Sequence, residues 1–307
     1  MKRDPHVEIR PARAEDYPQV EALAAKIWEG TDYIPYVWDK WLADREGDFS
    51  VLTLDGRVIG LAKVTRLGER EWWLEGLRVD PDYRGRGYGM MLHEHSVARF
   101  RALGGGVARF STGSTNTAVH AMARKLGFRR CAAFAVYGAG PLGMGSEEFS
   151  QLAPADAPRV WAFLRGSECF KACQRSIEAP TRWHWTFLTE PRLDEHIAAG
   201  HVYGWFGDRR GHALDGVVIA LPPDKDDSGR TRLSLAYLDA TEGNLAVMAQ
   251  MFRGVVGRMG LDRVELKALA RPERMVALEQ AGYRLARDFE VWLFSLESDE
   301  GASDADG

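Results

Sequence analysis

A glycine-rich loop with two arginines is the passage of this sequence whose residue types best suit chemistry. It reads Arg84-Gly85-Arg86-Gly87-Tyr88-Gly89 and follows a predicted strand that ends at Val79. Glycines let backbone N–H groups approach an anion, and the start of a helix adds further N–H groups and a positive dipole end. Position 90 is Met and no Gly-Lys-Ser/Thr follows, so neither a dinucleotide fingerprint nor a Walker A loop is present. The loop predicts a pyrophosphate site of another kind; the alternative is a glycine-rich turn with solvent-facing arginines.

Two residues outside the loop are candidate proton acceptors. Glu75 lies on the predicted strand before the loop, among apolar neighbours, where a carboxylate could deprotonate an amine directly or through water. Its alternative is a solvent-facing position on the strand surface. His120 lies on a later predicted helix and is the second candidate base, although a helical histidine more often has a structural role.

Composition excludes several classes of protein. The chain has 307 residues, 45% of them apolar and 27% charged, and its formal net charge of −4 argues against a nucleic-acid partner. No apolar run approaches the roughly 18 residues of a membrane span, and the N-terminus does not resemble a signal peptide. Cys169 and Cys173 lack a second ligand pair, so no metal site is predicted, and the three cysteines fit a reducing, cytoplasmic compartment.

Helices and strands alternate around the loop, which predicts an α/β fold of the mixed α+β kind. Periodicity and turn signals give the following elements: strand 7–10, helix 17–28, a hairpin of strands 50–54 and 58–64 around Asp55-Gly56, strand 71–79, a helix to about 101, strand 107–111, helix 116–126 and strand 131–137.

The second half of the sequence repeats the first in order. Asp16-Tyr17-Pro18 matches Asp156-Ala157-Pro158, and Leu126-Gly127-Phe128 matches Ala281-Gly282-Tyr283. Two copies of one α/β unit are therefore expected. The predicted division is a first domain over 1–140, a glycine-rich linker over 141–146, a second domain over 147–297 and a disordered acidic tail over 298–307.

The pattern Val-x-Pro-x-x-Arg-Gly-x-Gly-x-Gly at 79–89, with Asn116 and Leu126-Gly127-Phe128 behind it, resembles the GNAT N-acetyltransferases. The resemblance implies a splayed, mostly antiparallel mixed sheet with acetyl-CoA as cosubstrate between two strands. It assigns the pantetheine arm to the main chain of Leu77, Arg78 and Val79 and to Asn116, and the pyrophosphate to the backbone of residues 84–89. An amine would attack the thioester directly, and a backbone N–H at a bulge near Val79 would stabilise the oxyanion.

One position departs from the family pattern. The family often places a tyrosine seven residues after the asparagine as general acid, and this sequence has Ala123 there. Tyr137 and Ser111 are possible substitutes, and the thiolate could also leave unaided because a thiol has a pKa of about 8.5.

The segment 31–42 is expected to form the acceptor site. Tyr33 would stack on the body of a small amine and Asp32 would bind its charge. Together with Leu74–Val79, this segment is similar to the histidine N-acetyltransferase group, which makes a free amino acid such as histidine the leading named substrate. Two alternatives stay open: acetylation of a protein N-terminus or lysine, and a non-catalytic module that binds CoA.

The second copy lacks the glycine loop. Asp239 and Glu242 stand where a pyrophosphate would bind and would repel it, and Arg271 replaces the asparagine. We expect this copy to bind no CoA and to have a structural role. Because it could cover the face that a second subunit would use, a monomer is favoured over a homodimer.

Overall fold

A computed structural model of the chain describes residues 6–181, 183–206, 214–226 and 228–298, except for the side chain of Ser146. The chain divides into two compact units. The first unit comprises Met1–Phe110, Thr117–Arg129 and Phe294–Gly307; the second comprises Ser111–Asn116 and Arg130–Leu293. The first unit thus includes Phe294–Gly307 from the C-terminal half of the chain, and the second includes Ser111–Asn116 from the N-terminal half. The predicted division at 141–146 does not include this exchange. No helix in the described ranges is both long and apolar enough to cross a membrane.

The elements of the first half follow the predicted order. They are β1 (Val7–Pro11), α1 (Tyr17–Ala24), α2 (Ile34–Ala43), β2 (Asp48–Leu54), β3 (Arg57–Gly68), β4 (Glu71–Val79), α3 (Tyr88–Ala102), β5 (Gly106–Gly113), α4 (Thr117–Lys125) and β6 (Arg129–Ala139). The first helix ends earlier than predicted, because Trp28 and Glu29 have φ angles of +46° and +57° that no α-helix accommodates.

The second half repeats the alternation. Its elements are β7 (Phe149–Gln151), α5 (Ala157–Gly166), α6 (Glu168–Ala172), β8 (Ser176–Glu178), β9 (Trp185–Phe187), α7 (Glu190–Ala198), β10 (Val202–Trp205), β11 (Gly216–Ala220), β12 (Asp224–Lys225), β13 (Thr231–Ala240), α8 (Leu245–Arg258), β14 (Arg263–Leu269), α9 (Pro272–Gln280), β15 (Arg284–Leu285) and β16 (Val291–Ser298). The predicted mixed α/β class is confirmed.

In the first unit, β1 to β4 form an antiparallel meander and β5 joins β4 in parallel. The predicted β2–β3 turn is present, with φ of +50° at Asp55 and +84° at Gly56, the left-handed pair of a two-residue hairpin. Helix α2 packs its apolar stripe on this sheet, where Trp38 and Trp41 meet Phe49 edge to face at 5.1 and 5.3 Å. This packing holds Trp41 of α2 beside β4.

In the second unit the strand order is β6-β14-β13-β11-β10-β7. The pairs are antiparallel except for β13 and β14, which are parallel. Met248, Phe252 and Val255 of α8 are completely or almost completely buried in its core. The second unit therefore repeats the antiparallel-then-parallel arrangement of the first.

Candidate functional site

Strands β4 and β5 pair at one end and then part. Their parallel register runs over Glu71–Trp73 against Val107–Arg109, whereas β4 continues to Val79 along β3. The remainder of β4 is the segment whose main chain the resemblance assigns to the pantetheine arm. A splayed pair of parallel strands is the geometry in which a ligand can pair with a strand as if it were the missing neighbour.

A β-bulge interrupts β4 directly before this segment. Lys63 lies opposite Glu75 and Leu61 opposite Arg78, so the one residue between them on β3 faces two residues of β4, Gly76 and Leu77. Gly76 carries a φ of +66°, and a Cβ there would lie 2.6 Å from Cη2 of Trp41. Only glycine meets both conditions. The bulge expected near Val79 thus lies at Gly76, because this residue alone can adopt the required conformation against the Trp41 ring.

The glycine loop has the backbone expected of an anion cradle. Gly85 and Gly87 have φ angles of +75° and +87°, and a Cβ on either would meet no atom within 4 Å. Gly87 is the N-cap of α3, no side chain caps it, and the first helical hydrogen bond runs from Met91 N to Gly87 O. The first-turn N–H groups therefore have no intrahelical acceptors. This open, exposed helix start fits a pyrophosphate.

The two loop arginines brace the loop. Nε of Arg84 donates to the Val79 carbonyl at 3.3 Å, and Nη2 of Arg86 donates to the Asp82 carbonyl at 3.3 Å. The Arg86 guanidinium also lies 5.4 Å from the centre of the Tyr83 ring. Both side chains remain exposed, so they keep positive charge at the loop while fixing its shape.

A lysine that the sequence did not indicate forms ion pairs with two carboxylates at the base of the loop. Lys26 Nζ lies 3.0 Å from Asp80 and 2.6 Å from Asp82. These hydrogen bonds raise the pKa of Lys26, and the bond from Lys26 lowers the pKa of Asp82. Asp80 also accepts the Asp82 N–H at 3.1 Å. The contact joins residues 54 apart in sequence, so no local pattern could have revealed it.

The predicted acceptor residues form a cluster at the bulge, but with different roles. Asp32 is buried and accepts from Arg78 through both oxygens, at 2.8 and 3.1 Å. Asp32 therefore has the partner that a buried carboxylate needs within the fold, and its binding of the charge of a cationic substrate stays a prediction. The Arg78 guanidinium lies 4.4 Å from the Trp28 ring centre and 5.3 Å from that of Tyr33.

The charge of Glu75 acts on the Tyr33 phenol. Burial raises the pKa of Tyr33 to about 12; the Arg78 charge opposes this shift and the charges of Glu75 and Asp32 add to it. Thr65 on β3 donates its hydroxyl to Glu75, which holds the half-buried carboxylate in one orientation. The roles of Tyr33 and Glu75 stay predictions, and Thr65 is a further neighbour of Glu75 that the sequence did not suggest.

The histidine candidate lies in a different environment. His120 is buried in the first unit, with its ring centre 5.5 Å from that of Phe294. This packing favours a structural role, and its action as a base stays a prediction. In the described part of the chain, no group of three or more His, Cys, Asp or Glu side chains is placed to hold a metal ion.

Three other predicted residues belong to the second unit. Asn116 donates from Nδ2 to Thr112 at 3.1 Å. Ser111 donates to the Trp183 carbonyl at 2.8 Å, and the completely buried Tyr137 donates to Glu279 at 3.4 Å. The cofactor role of Asn116 therefore stays a prediction, and the contacts of Tyr137 are those of a core residue.

The second unit contains a counterpart of this strand pair. The parallel register of β13 and β14 covers Arg232–Leu235 against Arg263–Leu266. Ile219 lies opposite Tyr237 and Ala220 opposite Leu235, so β13 carries an extra residue at Ala236, where β4 has its bulge. Leu235 precedes this bulge as Glu75 precedes that of β4. The counterpart therefore has no carboxylate at this position.

The side chain of an arginine hydrogen-bonds to the part of β13 that follows its bulge. Arg274 of α9 donates to the Leu238 carbonyl at 2.7 Å and to the Asp239 carboxylate at 2.6 Å. Ser167 and Tyr237 also donate to Asp239, at 2.6 and 3.3 Å. Asp239 is buried and neutralised, so it is not the exposed repulsive charge that the sequence suggested. The side chain of Arg274 takes a main-chain acceptor at the position where the first unit leaves β4 open.

The comparisons with known proteins agree with this geometry. Residues 8–128 match the Acetyltransferase (GNAT) family. Histidine N-acetyltransferase of Oreochromis niloticus is 36% identical over 77 residues, which cover 25% of this chain and 23% of that protein. N-alpha-acetyltransferase RimI of Mycobacterium tuberculosis is 29% identical over 119 residues, 38% of this chain and 73% of that protein. The chain thus spans about a quarter of the length of the histidine N-acetyltransferases that it matches.

A solved structure shares the fold over the whole chain. The tandem GNAT protein from the clavulanic acid biosynthesis pathway superposes with a TM-score of 0.55 at 17% identity, covering 97% of this chain and 100% of that one. At this identity the likeness shows the fold alone. The splayed strands, the bulge and the glycine loop all lie within residues 8–128, the part of the chain that matches the acetyltransferase (GNAT) family.

Proposed function

We propose that the first unit is an acetyl-CoA-dependent N-acetyltransferase that acetylates the primary amine of a small molecule. The observation that carries this proposal is the order of features along β4. A carboxylate at Glu75, a bulge at Gly76 and an open strand edge lead directly into an uncapped helix start. The carboxylate is a proton acceptor, the bulge offers hydrogen-bond donors to an oxyanion, and the helix start can bind an anion. An acyl-CoA bound along the strand requires these groups in this order.

The chain's own groups supply the steps of direct transfer. Glu75 accepts a proton from the acceptor ammonium, directly or through water, and the free amine attacks the thioester carbon. Backbone N–H groups at the Gly76 bulge are positioned to stabilise the oxyanion. The new C–N bond gives a tetrahedral intermediate, the C–S bond then breaks as the CoA thiolate leaves, and the nitrogen releases its second proton to solvent. With a thiol pKa of about 8.5, that thiolate can take its proton from solvent, so the alanine at position 123 is compatible with turnover.

For the acceptor we propose a free amino acid, with histidine as the first candidate. Support comes from the similarity to histidine N-acetyltransferase over 77 residues and from the aromatic residues around Arg78. A second candidate is the α-amine of a peptide, because the chain covers 73% of RimI, a protein N-alpha-acetyltransferase. Both acceptors present the same nucleophile and differ in what lies behind it.

The second unit, we propose, takes no CoA. Arg274 already hydrogen-bonds the Leu238 carbonyl, and the corresponding loop is reduced to Thr241–Asn244 with Asn244 as the cap of α8. Its role is then structural. This proposal rests on internal hydrogen bonds, which a cofactor arm would have to break and replace.

Thiol release from acetyl-CoA by the full chain tests the function directly. The panel contains histidine, other free amino acids, polyamines, aminoglycosides and short peptides with free N-termini. Release with free amino acids supports the proposal, and release only with peptides supports the second candidate. Folded protein that binds CoA in calorimetry but releases thiol with no acceptor would overturn the enzymatic function in favour of a binding module.

A further inference from the structure

Trp28 is the most exposed part of the aromatic cluster at the bulge. Its side chain is 59% exposed, whereas Trp38 and Trp41 are 3% and 5% exposed. The backbone at Trp28, Glu29 and Gly30 is left-handed, with φ of +46°, +57° and +84°. Non-glycine residues adopt this conformation at a cost of about 1 kcal/mol or more each. The turn is closed by hydrogen bonds from Gly30 N to Ile27 O at 2.9 Å and from Thr31 N to Trp28 O at 3.1 Å.

The indole is held flat by a buried support. One face lies 4.4 Å from the Arg78 guanidinium, which the buried Asp32 grips through two hydrogen bonds of 2.8 and 3.1 Å. Tyr33 lies beside it, with ring centres 6.4 Å apart and planes inclined by 27°. One face lies against Arg78 while 59% of the side chain is exposed, so the exposed surface includes the other face of the indole. The Tyr33 ring also meets Trp41 edge to face at 6.1 Å, and Trp41 lies against Gly76, the neighbour of Glu75 on β4.

From this arrangement we infer that Trp28 is the stacking platform for the acceptor and selects amines that carry a neutral planar ring. The inference deepens the proposed function and rests on it. The guanidinium already occupies the inner face and withdraws electron density from the indole, so the outer face is a poor site for a second cation. Offset stacking of a neutral ring is the favourable use of that face. The nearby Glu75 would then receive the proton of the attached amine.

The test compares acceptors that share an α-amine and a carboxylate but differ in side chain. Initial rates with histidine, phenylalanine, leucine and lysine are measured for the wild type, Trp28→Leu and Trp28→Phe. The control is Trp183→Leu, the same change at a tryptophan that is 37% exposed in the second unit. Because a stacked ring pair contributes up to about 1.4 kcal/mol, we expect Trp28→Leu to raise KM for ring-bearing acceptors about tenfold.

The expected pattern is specific. For Trp28→Leu, KM for leucine, for lysine and for acetyl-CoA should stay within about twofold of the wild-type values. Trp28→Phe should restore most of the ring preference, and Trp183→Leu should match the wild type. An equal effect on all four acceptors, or no effect, would overturn the platform while leaving the acetyltransferase intact. A wild-type chain that turns over no acceptor overturns the proposed function and the platform with it.

Discussion

The two units build the same strand pair and use it differently. Each has an antiparallel strand with an extra residue, Gly76 in β4 and Ala236 in β13, next to a parallel strand that pairs over only part of its length. In the first unit a carboxylate precedes the bulge and a glycine loop follows it. In the second unit Leu235 precedes the bulge and Arg274 bonds the strand after it. The same strand pair can therefore be left open in one unit and be bonded by a side chain in the other.

The largest contrast is expected at the loops. Gly87→Trp places a bulky residue at a φ of +87° at the start of α3. We expect at least about 1,000-fold weaker acetyl-CoA binding, because losing two charge-assisted N–H contacts costs roughly 4 kcal/mol. The matched control is Gly243→Trp, at a φ of +81° in the loop of the second unit. Calorimetric titration of both variants checks the difference, and equal losses would contradict the assignment of the first loop.

The next largest effect concerns the stability of the second unit. Arg274→Ala leaves the buried Asp239 carboxylate without its cationic partner, which typically costs 3–5 kcal/mol. We expect the free energy of unfolding of this unit to fall by about that amount. Arg159→Ala, which removes a side chain that is 45% exposed, serves as control and should change stability by under about 0.5 kcal/mol. Urea unfolding measures both. A second acetyl-CoA site in the wild type would refute the closed second strand pair, whereas a second site gained only by the Arg274 variant would support closure by Arg274.

A third effect separates the two strands by chemistry. Glu75→Gln should lower kcat about 100-fold, the lower end of what a general base contributes, and leave KM for acetyl-CoA unchanged. Its rate should then rise with pH as the acceptor amine deprotonates in solution. Glu69→Gln, in the exposed turn between β3 and β4, is the control. A Glu75 variant with the pH profile of the wild type would remove Glu75 from the reaction.

The smallest effect is the acid sensitivity of each unit. Burial lowers the pKa of His93 in the first unit to about 4, and burial lowers that of His196 in the second to about 4, the His201 charge adding to the shift. Such a histidine is neutral in the folded state and protonated in the unfolded state between about pH 6.5 and about pH 4. The free energy of unfolding therefore decreases as pH falls from about 6.5 to about 4. At pH 5.5 the loss from His93 is about 1 kcal/mol. In chemical unfolding at several pH values, His93→Leu should remove the contribution of His93 to the pH dependence of the free energy of unfolding. The substitution His6→Gln, at an exposed residue, should leave that pH dependence unchanged.

Several elements could be predicted from the sequence because their signals are local. Strand β4 runs over Glu71–Val79, as predicted, since turn residues bound a β-rich run on both sides. The Asp55-Gly56 hairpin needs two left-handed residues, and this dipeptide supplies them. The glycine loop can be predicted for the same reason, because its left-handed backbone depends on local glycines. By contrast, the first helix was extended to Trp28, because its apolar spacing continues past Ala24 although the backbone turns left-handed at residue 28.

The roles of charged residues depended on partners distant in sequence. Asp32 and Arg78 are 46 residues apart, and Asp80 and Lys26 are 54 apart. Asp239 reads as an exposed repulsive charge until Arg274 is seen beside it. Burial makes such pairing compulsory, but the sequence gives no means of choosing the partner. Only the folded chain pairs Asp32 with Arg78.

By itself, then, the sequence determined what short-range backbone physics dictates: the strands and helices, the glycine loop at residues 84–89, and the absence of that loop from the second copy. The tertiary structure decided where β4 leaves β5, that the bulge lies at Gly76 under the Trp41 ring, and that Arg274 closes the second strand pair. These features depend on side chains packing and pairing across the sheet, where sequence distance carries no information about contact.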